Sequence, residues 1–262
     1  MDLYALLPSD LAVVSAGGLV ALSFFTSALT AAGGIGGGVV LLAVMASFLP
    51  PLVVLPVHGI VQLGSNSGRA AVMRAHIHWR IAGYFFLGSI VGVVLAAKVF
   101  IALPVGVLQA LLGLFVLYAV WAPKLSPSSI PLAGFVPVGA LTSFAPLFVG
   151  GTGPLVSAFF SPEHLGREKL VATHATCMTI QHGLKGIAFG FLGFQFLPWL
   201  PVMAAMIASG FIGTLAGRRI LQRLPERLFT KLFRLVLTVL GLSLIHISEP
   251  TRRYANSYAV FC

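Results

Sequence analysis

The chain has 262 residues, of which 58% are apolar and only 8% charged, with a net charge of +10 and a mean hydropathy of +1.01. A water-soluble globule carries about 25% charged residues to cover its surface. This composition therefore excludes a soluble enzyme, a disordered protein and a secreted disulfide scaffold, and specifies an integral membrane protein.

The apolar runs decide which kind. Barrel strands alternate apolar and polar residues, whereas residues 11–32, 81–97, 105–122 and 200–216 are continuously apolar. Each run is near the roughly 20 residues that a helix needs to cross the hydrocarbon. The fold class is all-α, a polytopic membrane helix bundle. In chain order the first half reads as a helix over 9–32, the glycine cluster 33–38, a short helix to Phe48 and a break at Pro50-Pro51. Helices over 52–73, 80–102 and 105–122 follow. The second half reads as a helix over 131–149, the sequence GGTGP at 150–154, a short piece to Phe160, and helices over 169–193, 199–217 and 228–241. Asp2 and Asp10 stand where a signal peptide would carry cations, so no cleavable signal peptide is expected.

The halves resemble each other. Gly34-Ile35-Gly36 matches Gly151-Thr152-Gly153, and Pro56 to Ala71 aligns with Ala172 to Ile187, placing His58 on His174, Asn66 on His182 and Arg69 on Lys185. Cytoplasmic loops collect Lys and Arg. The clusters Arg74/Arg80, Lys124, Arg167/Lys169 and the six cations from Arg218 to Arg234 share one side only if the first half starts outside and the second inside. That parity predicts two inverted repeats, each with a glycine-broken short helix, as in secondary transporters. The repeats cover 1–123 and 131–241, joined by a cytoplasmic linker at 124–130, with the N-terminus outside. From Leu242 the string LSLIHISEPTR resembles a translated sequencing adapter, and SYAVFC its other end. Residues 242–262 are thus expected to be an artefact tail after a truncated last helix. Without the tail, which holds Arg252, Arg253 and Glu249, the net charge is +10 − (2 − 1) = +9, and only Cys177 is left of the two cysteines. Neither a disulfide nor a cysteine metal site is expected.

Candidate binding residues fall into two groups. Glycines at Gly33, Gly34, Gly36, Gly37 and Gly38, and again at Gly151 and Gly153, interrupt helices at membrane depth, which is tolerated only against protein or a wet cavity. Each cluster precedes a helix start, whose free N–H groups and partial positive charge attract an anion. The plainer function of such glycines is close helix packing, which is assigned to Gly17-Gly18. The second group is a polar stripe: His58, Gln62, Ser65, Asn66 and Arg69 share one helix face, as do His174, Gln181, His182 and Lys185. Polar groups in a bilayer face protein or water. Arg69 and Lys185 have an alternative as interfacial snorkellers, and Thr173, Thr176 and Thr179 are read as back-bonding hydroxyls. The six carboxylates Asp2, Asp10, Glu163, Glu168, Glu226 and Glu249 all lie outside the continuously apolar parts of the predicted spans. The pattern lacks acids for hydrolysis or for a cation substrate, and His58, His174 and His182 are the groups able to carry a coupled proton. With no phosphate-binding loop, and with His76 and His78 too few for a metal site, no cofactor and no metal are expected. The expected partners are a small anion and the bilayer, not nucleic acid; the sequence does not specify an oligomeric state.

GGIGGG with its downstream proline pair, the second GGTGP, and PVHGIVQLGSNSGRAAVMR together resemble the sulfite exporter TauE/SafE family of membrane permeases, over roughly residues 10–241. The resemblance implies a permease of the bacterial inner membrane for small sulfur-containing anions such as sulfite, sulfonates or sulfoacetate. Pro154, where the first copy has Gly37, makes the expected site asymmetric. The expected function is alternating-access anion transport, with Gly34, Gly36, Gly37, His58, Gln62, Asn66, Arg69, Gly151, Gly153, His174, His182 and Lys185 at the substrate. Two alternatives stand beside it: an intramembrane enzyme on lipid-linked phosphate or sulfate using Arg69, His58 and His174, and a non-transporting membrane partner.

Overall fold

A computed structural model describes residues 8, 11–33, 36–121, 130–160, 165–220, 235 and 238–243. Gly34, most of the linker, the joint after Ile220, the larger part of the last predicted helix and the tail from 244 lie outside the described residues. Among the described residues the α-helices with assigned bounds run in the order α1 (Val13–Gly33), α2 (Gly37–Ala46), α3 (Pro51–Val72), α4 (Trp79–Phe100), α5 (Val105–Trp121), α6 (Phe135–Phe144), α7 (Pro146–Val149), α8 (Gly153–Ser157), α9 (Arg167–Phe191) and α10 (Leu200–Ile220). No strand occurs among the described residues.

Among the described residues four segments are long and apolar enough to cross a membrane: Val13–Thr30, Trp79–Phe100, Leu132–Val149 and Leu197–Gly217. They present Phe25, Val91, Val94, Leu95, Leu141, Phe211, Ile212 and Leu215 outward, which suits a lipid-facing surface. The helices α3 and α9 have the length but not the uniform apolarity. They pack on each other, and buried on them are His58, Asn66, Thr173, Gln181, His182 and Lys185. The most polar helices are thus kept from the outer surface, as the cost of polar groups in hydrocarbon requires.

The three most extensive helix contacts are α1 with α10, α4 with α6, and α3 with α9. Exchanging α1 with α6, α4 with α10 and α3 with α9 maps this set onto itself, the pattern an internal duplication would give. The α1–α10 and α4–α6 contacts are close for the same reason. A Cβ on Gly213 or Gly217 would strike the backbone of Phe24 or Ala28, and one on Gly88 or Gly92 would strike that of Val136 or Ala140. Both pairs are spaced GxxxG, which lets helix backbones approach in lipid. Buried hydroxyls add bonds across the contacts: Ser23 Oγ donates to the Met206 carbonyl at 2.7 Å, and Ser143 Oγ to Ser89 Oγ at 2.8 Å. Gly17 and Gly18, expected to serve close packing, instead meet nothing within 4 Å.

Helix ends follow local chemistry. Pro51 begins α3, where the missing N–H costs nothing. At the start of α4, His78 accepts from the Ile81 N–H at 3.4 Å, and its own N–H donates to Thr173 Oγ1 at 2.9 Å. Thr173 therefore braces a neighbouring helix, whereas Thr176 and Thr179 do bond back to the Ala172 and Ala175 carbonyls. The predicted helix over 131–149 is interrupted at Ala145, because Pro146 has no N–H to give to the Thr142 carbonyl one turn earlier.

Candidate functional site

One period builds both central helices. On α3, His58, Gln62 and Asn66 stand four residues apart; on α9, His174, Met178 and His182 repeat the spacing 116 residues later. All six line one cavity of about 60 Å³, together with Arg69, Thr30, Gly36, Gly38, Val39, Leu42, Gly151, Gly153 and Pro154. A single water needs roughly 10–15 Å³ by the same measure, so the space holds several waters or a small ion. Its wall combines polar groups and a cation from α3, residues of both glycine breaks, and the apolar surface of Val39, Leu42 and Met178.

The two breaks are tied to the central helices in parallel ways. His58 Nε2 donates to the Gly38 carbonyl at 2.9 Å, and His174 Nε2 to the Gly153 carbonyl at 3.1 Å. Since a carbonyl only accepts, both rings carry hydrogen on Nε2. On α3 the chain of polar groups continues: Asn66 Nδ2 donates to the Gln62 carbonyl at 2.8 Å, and Arg69 donates to Asn66 Oδ1 at 3.5 Å. Gly36 takes φ +118°, a left-handed conformation that an L side chain resists. The N-terminus of α2 opens on the cavity through Gly36 and Gly38; the Gly36 carbonyl accepts from the Val39 and Val40 N–H groups, so those of Gly37 and Gly38 are the ones with no carbonyl within the helix.

The second break is braced further. Pro146 leaves the Thr142 carbonyl without its helical donor, and two side chains take it: Thr152 Oγ1 at 2.9 Å and Gln181 Nε2. Gln181 Nε2 also donates to Thr152 Oγ1 at 2.6 Å. Lys185, fully buried, donates from Nζ to the carbonyl of Gly150 at 2.8 Å and lies 5.8 Å from the centre of the Phe189 ring. At the Thr152 and Gln181 positions the first half has Ile35 and Ser65, which cannot reproduce this hydroxyl–amide clamp.

A family model described as sulfite exporter TauE/SafE matches residues 19–244. The chain belongs to the sulfite exporter TauE/SafE family. No curated protein and no solved structure matches it. As a TauE/SafE protein with lipid-facing apolar helices, it is a multi-pass membrane protein of a transporter family whose substrates are small anions.

In this TauE/SafE chain, nine of the twelve residues expected at the substrate line the cavity: Gly36, His58, Gln62, Asn66, Arg69, Gly151, Gly153, His174 and His182. Three do not join them there. Gly37 turns toward α1, where a Cβ would meet the Thr26 carbonyl and the Thr30 hydroxyl; Lys185 bonds Gly150 behind the cavity; Gly34 lies outside the described residues. Gln181, grouped with the stripe, is turned into the Thr142–Thr152 brace. The reading also missed Met178, which its position four residues from both His174 and His182 would have revealed, and Thr152, whose hydroxyl between two glycines was the available signal. The second short helix, α8, is only five residues long, so little helix dipole stands behind it. Its contribution is the open backbone at Gly153, where a Cβ would meet nothing within 4 Å.

Proposed function

We propose that the chain is a secondary transporter that carries a small sulfur-containing anion, of the sulfite, sulfonate or sulfoacetate type, across the bacterial inner membrane by alternating access. The observation that carries this reading is the polar cavity between the two glycine breaks, at the contact of α3 with α9. Arg69, Gln62 and Asn66 supply charge and hydrogen-bonding groups, and the start of α2 supplies N–H donors, a set suited to an oxyanion. The two halves, 1–123 and 131–241 around the linker 124–130, act as inverted repeats that rock about α3 and α9, with the N-terminus outside and the Arg-rich loops in the cytoplasm. Their support is the exchange symmetry of the helix contacts and the side on which the cations gather. Residues 242–262 are adapter-derived and play no part.

The enzyme reading needs His58 and His174 at a reacting group, yet both commit Nε2 to backbone carbonyls, which favours transport. The test is flux of radiolabelled sulfite, sulfate, methanesulfonate and chloride into proteoliposomes. Saturable movement of a sulfur anion that Arg69→Gln slows at least tenfold is the expected result. Absence of flux for all four from folded protein would overturn the proposal.

A further inference from the structure

Three buried side-chain atoms have no hydrogen-bond partner among the described residues: His58 Nδ1, His182 Nδ1 and Gln181 Oε1. They belong to α3 and α9, the helices that meet at the centre of the bundle. The His58 tautomer follows from its Nε2 contact with the Gly38 carbonyl at 2.9 Å, which needs hydrogen on Nε2 and is shorter than the 3.4 Å contact of the same nitrogen with Gln62 Nε2. Its neutral ring therefore shows Nδ1 as a bare lone pair. The His182 ring lies edge-on to it with centroids 6.2 Å apart, and the Gly150 carbonyl lies beside His58. Native proteins rarely leave buried polar atoms unpaired without a ligand, water or function to account for them. What the His58 ring lacks at Nδ1 is a donor.

We propose that His58 and His182 together hold one proton that travels with the anion. The proposal rests on the transport reading and names the ion coupled to it. On loading, a proton adds to an unpaired Nδ1, forming an N–H bond and an imidazolium. On release, the same N–H bond breaks and the proton leaves on the anion's side of exit. With a monovalent anion the loaded cavity gains no net charge.

The cationic groups around the pair oppose an imidazolium as long as no anion is beside it. Lys185 and His174 of α9 act on His182, Lys185 also acts on His58, and Arg69 of α3 acts on His174. The segments α2, α7 and α8 bring no titratable side chain, nor does α10 over 200–217; Cys177 packs in the apolar cluster with Phe85 and Phe135. On α4, Arg80 and Lys98 are exposed and Tyr84 is half-buried away from the cavity lining, and Tyr118 of α5 is exposed. No carboxylate among the described residues faces the pair: Glu168, in the first turn of α9, pairs with His76 at 3.0 Å and is largely exposed. The anion is thus the compensating charge for an imidazolium here, and each strengthens the binding of the other by the same factor. His174 is set apart from this role, with its ring edge-on to Phe160 at 6.1 Å and not to a second imidazole.

The test uses the full chain in proteoliposomes with a pH dye trapped inside. Inward gradients of methanesulfonate and of sulfate are imposed, because neither anion takes up a proton near neutrality. The expected result is about one proton entering per methanesulfonate, and about tenfold accumulation for an imposed gradient of one pH unit, since a tenfold ratio corresponds to about 1.4 kcal/mol. His182→Gln and His58→Gln should bring the proton-to-anion ratio close to zero, while His174→Gln slows flux and keeps the ratio. Wild-type flux without proton movement, which needs no variant to fold, would overturn the proposal, as would an unchanged ratio in both Gln variants. Folded wild-type protein that moves none of sulfite, sulfate, methanesulfonate and chloride would instead overturn the transport reading, and the coupling with it.

Discussion

Replacing Thr152 by Val keeps the side-chain shape and removes only the hydroxyl. That hydroxyl donates to the Thr142 carbonyl at 2.9 Å and accepts from Gln181 Nε2 at 2.6 Å, between side chains that water does not reach. The carbonyl and the amide still have each other after the change, so neither is orphaned and the cost lies at the low end. A net hydrogen bond contributes about 0.5–1.5 kcal/mol in proteins generally, and interhelical ones in membranes average about 0.6 kcal/mol with a maximum near 1.7. Two lost bonds then amount to roughly 1–2 kcal/mol. At about 2–4 °C per kcal/mol for a chain of this size class, the unfolding midpoint in detergent should fall by roughly 2–8 °C. Thr152→Ser, which keeps the hydroxyl, should lose less than half of that. A double-mutant cycle with Gln181→Leu isolates the pair, with an expected coupling of about 0.6–1.7 kcal/mol. Thr152→Val as stable as the wild type, or strictly additive effects in the cycle, would refute the brace.

Other outcomes follow from the same geometry. Gly153→Leu has open space around its Cβ, so the protein should fold and elute normally while anion flux drops at least a hundredfold; Gly36→Leu, at φ +118°, should lose folding as well as flux. Gly92→Leu drives a side chain into the Ala140 backbone and should cost about 3 kcal/mol or more, read as a large fall in unfolding temperature, whereas Gly17→Leu should stay within about 0.5 kcal/mol of the wild type. Lys185→Met removes the bond to the Gly150 carbonyl without reshaping the cavity lining. It should therefore alter maximal flux more than the half-saturating anion concentration, and the reverse pattern would return Lys185 to the substrate.

Much of this architecture was legible because lipid makes the code simple. Unbroken apolar runs marked the outer helices, and Pro50-Pro51 marked the start of α3 within one residue of where it occurs. His58, Gln62 and Asn66 were readable as one face because four-residue spacing admits no other reading on a helix. What escaped depends on partners distant in sequence. Gln181 lies on the same arc as His174, but the carbonyl freed by Pro146 draws it away from the cavity. Lys185 is drawn likewise by Gly150. Gly17 and Gly88 look alike in sequence, and only the position of α6 decides that the second is close-packed.

The interlocking of the halves has a consequence for biosynthesis. Each of the three principal contacts, α1 with α10, α4 with α6 and α3 with α9, joins a helix made early to one made late. The stripe of α3 enters the membrane well over a hundred residues before its partner on α9 exists, and until then His58, Gln62, Asn66 and Arg69 have neither a facing helix nor a closed cavity. A nascent chain halted after α5 therefore offers polar groups to lipid, at the cost such groups carry in hydrocarbon. The bundle matures only when α9 and α10 arrive.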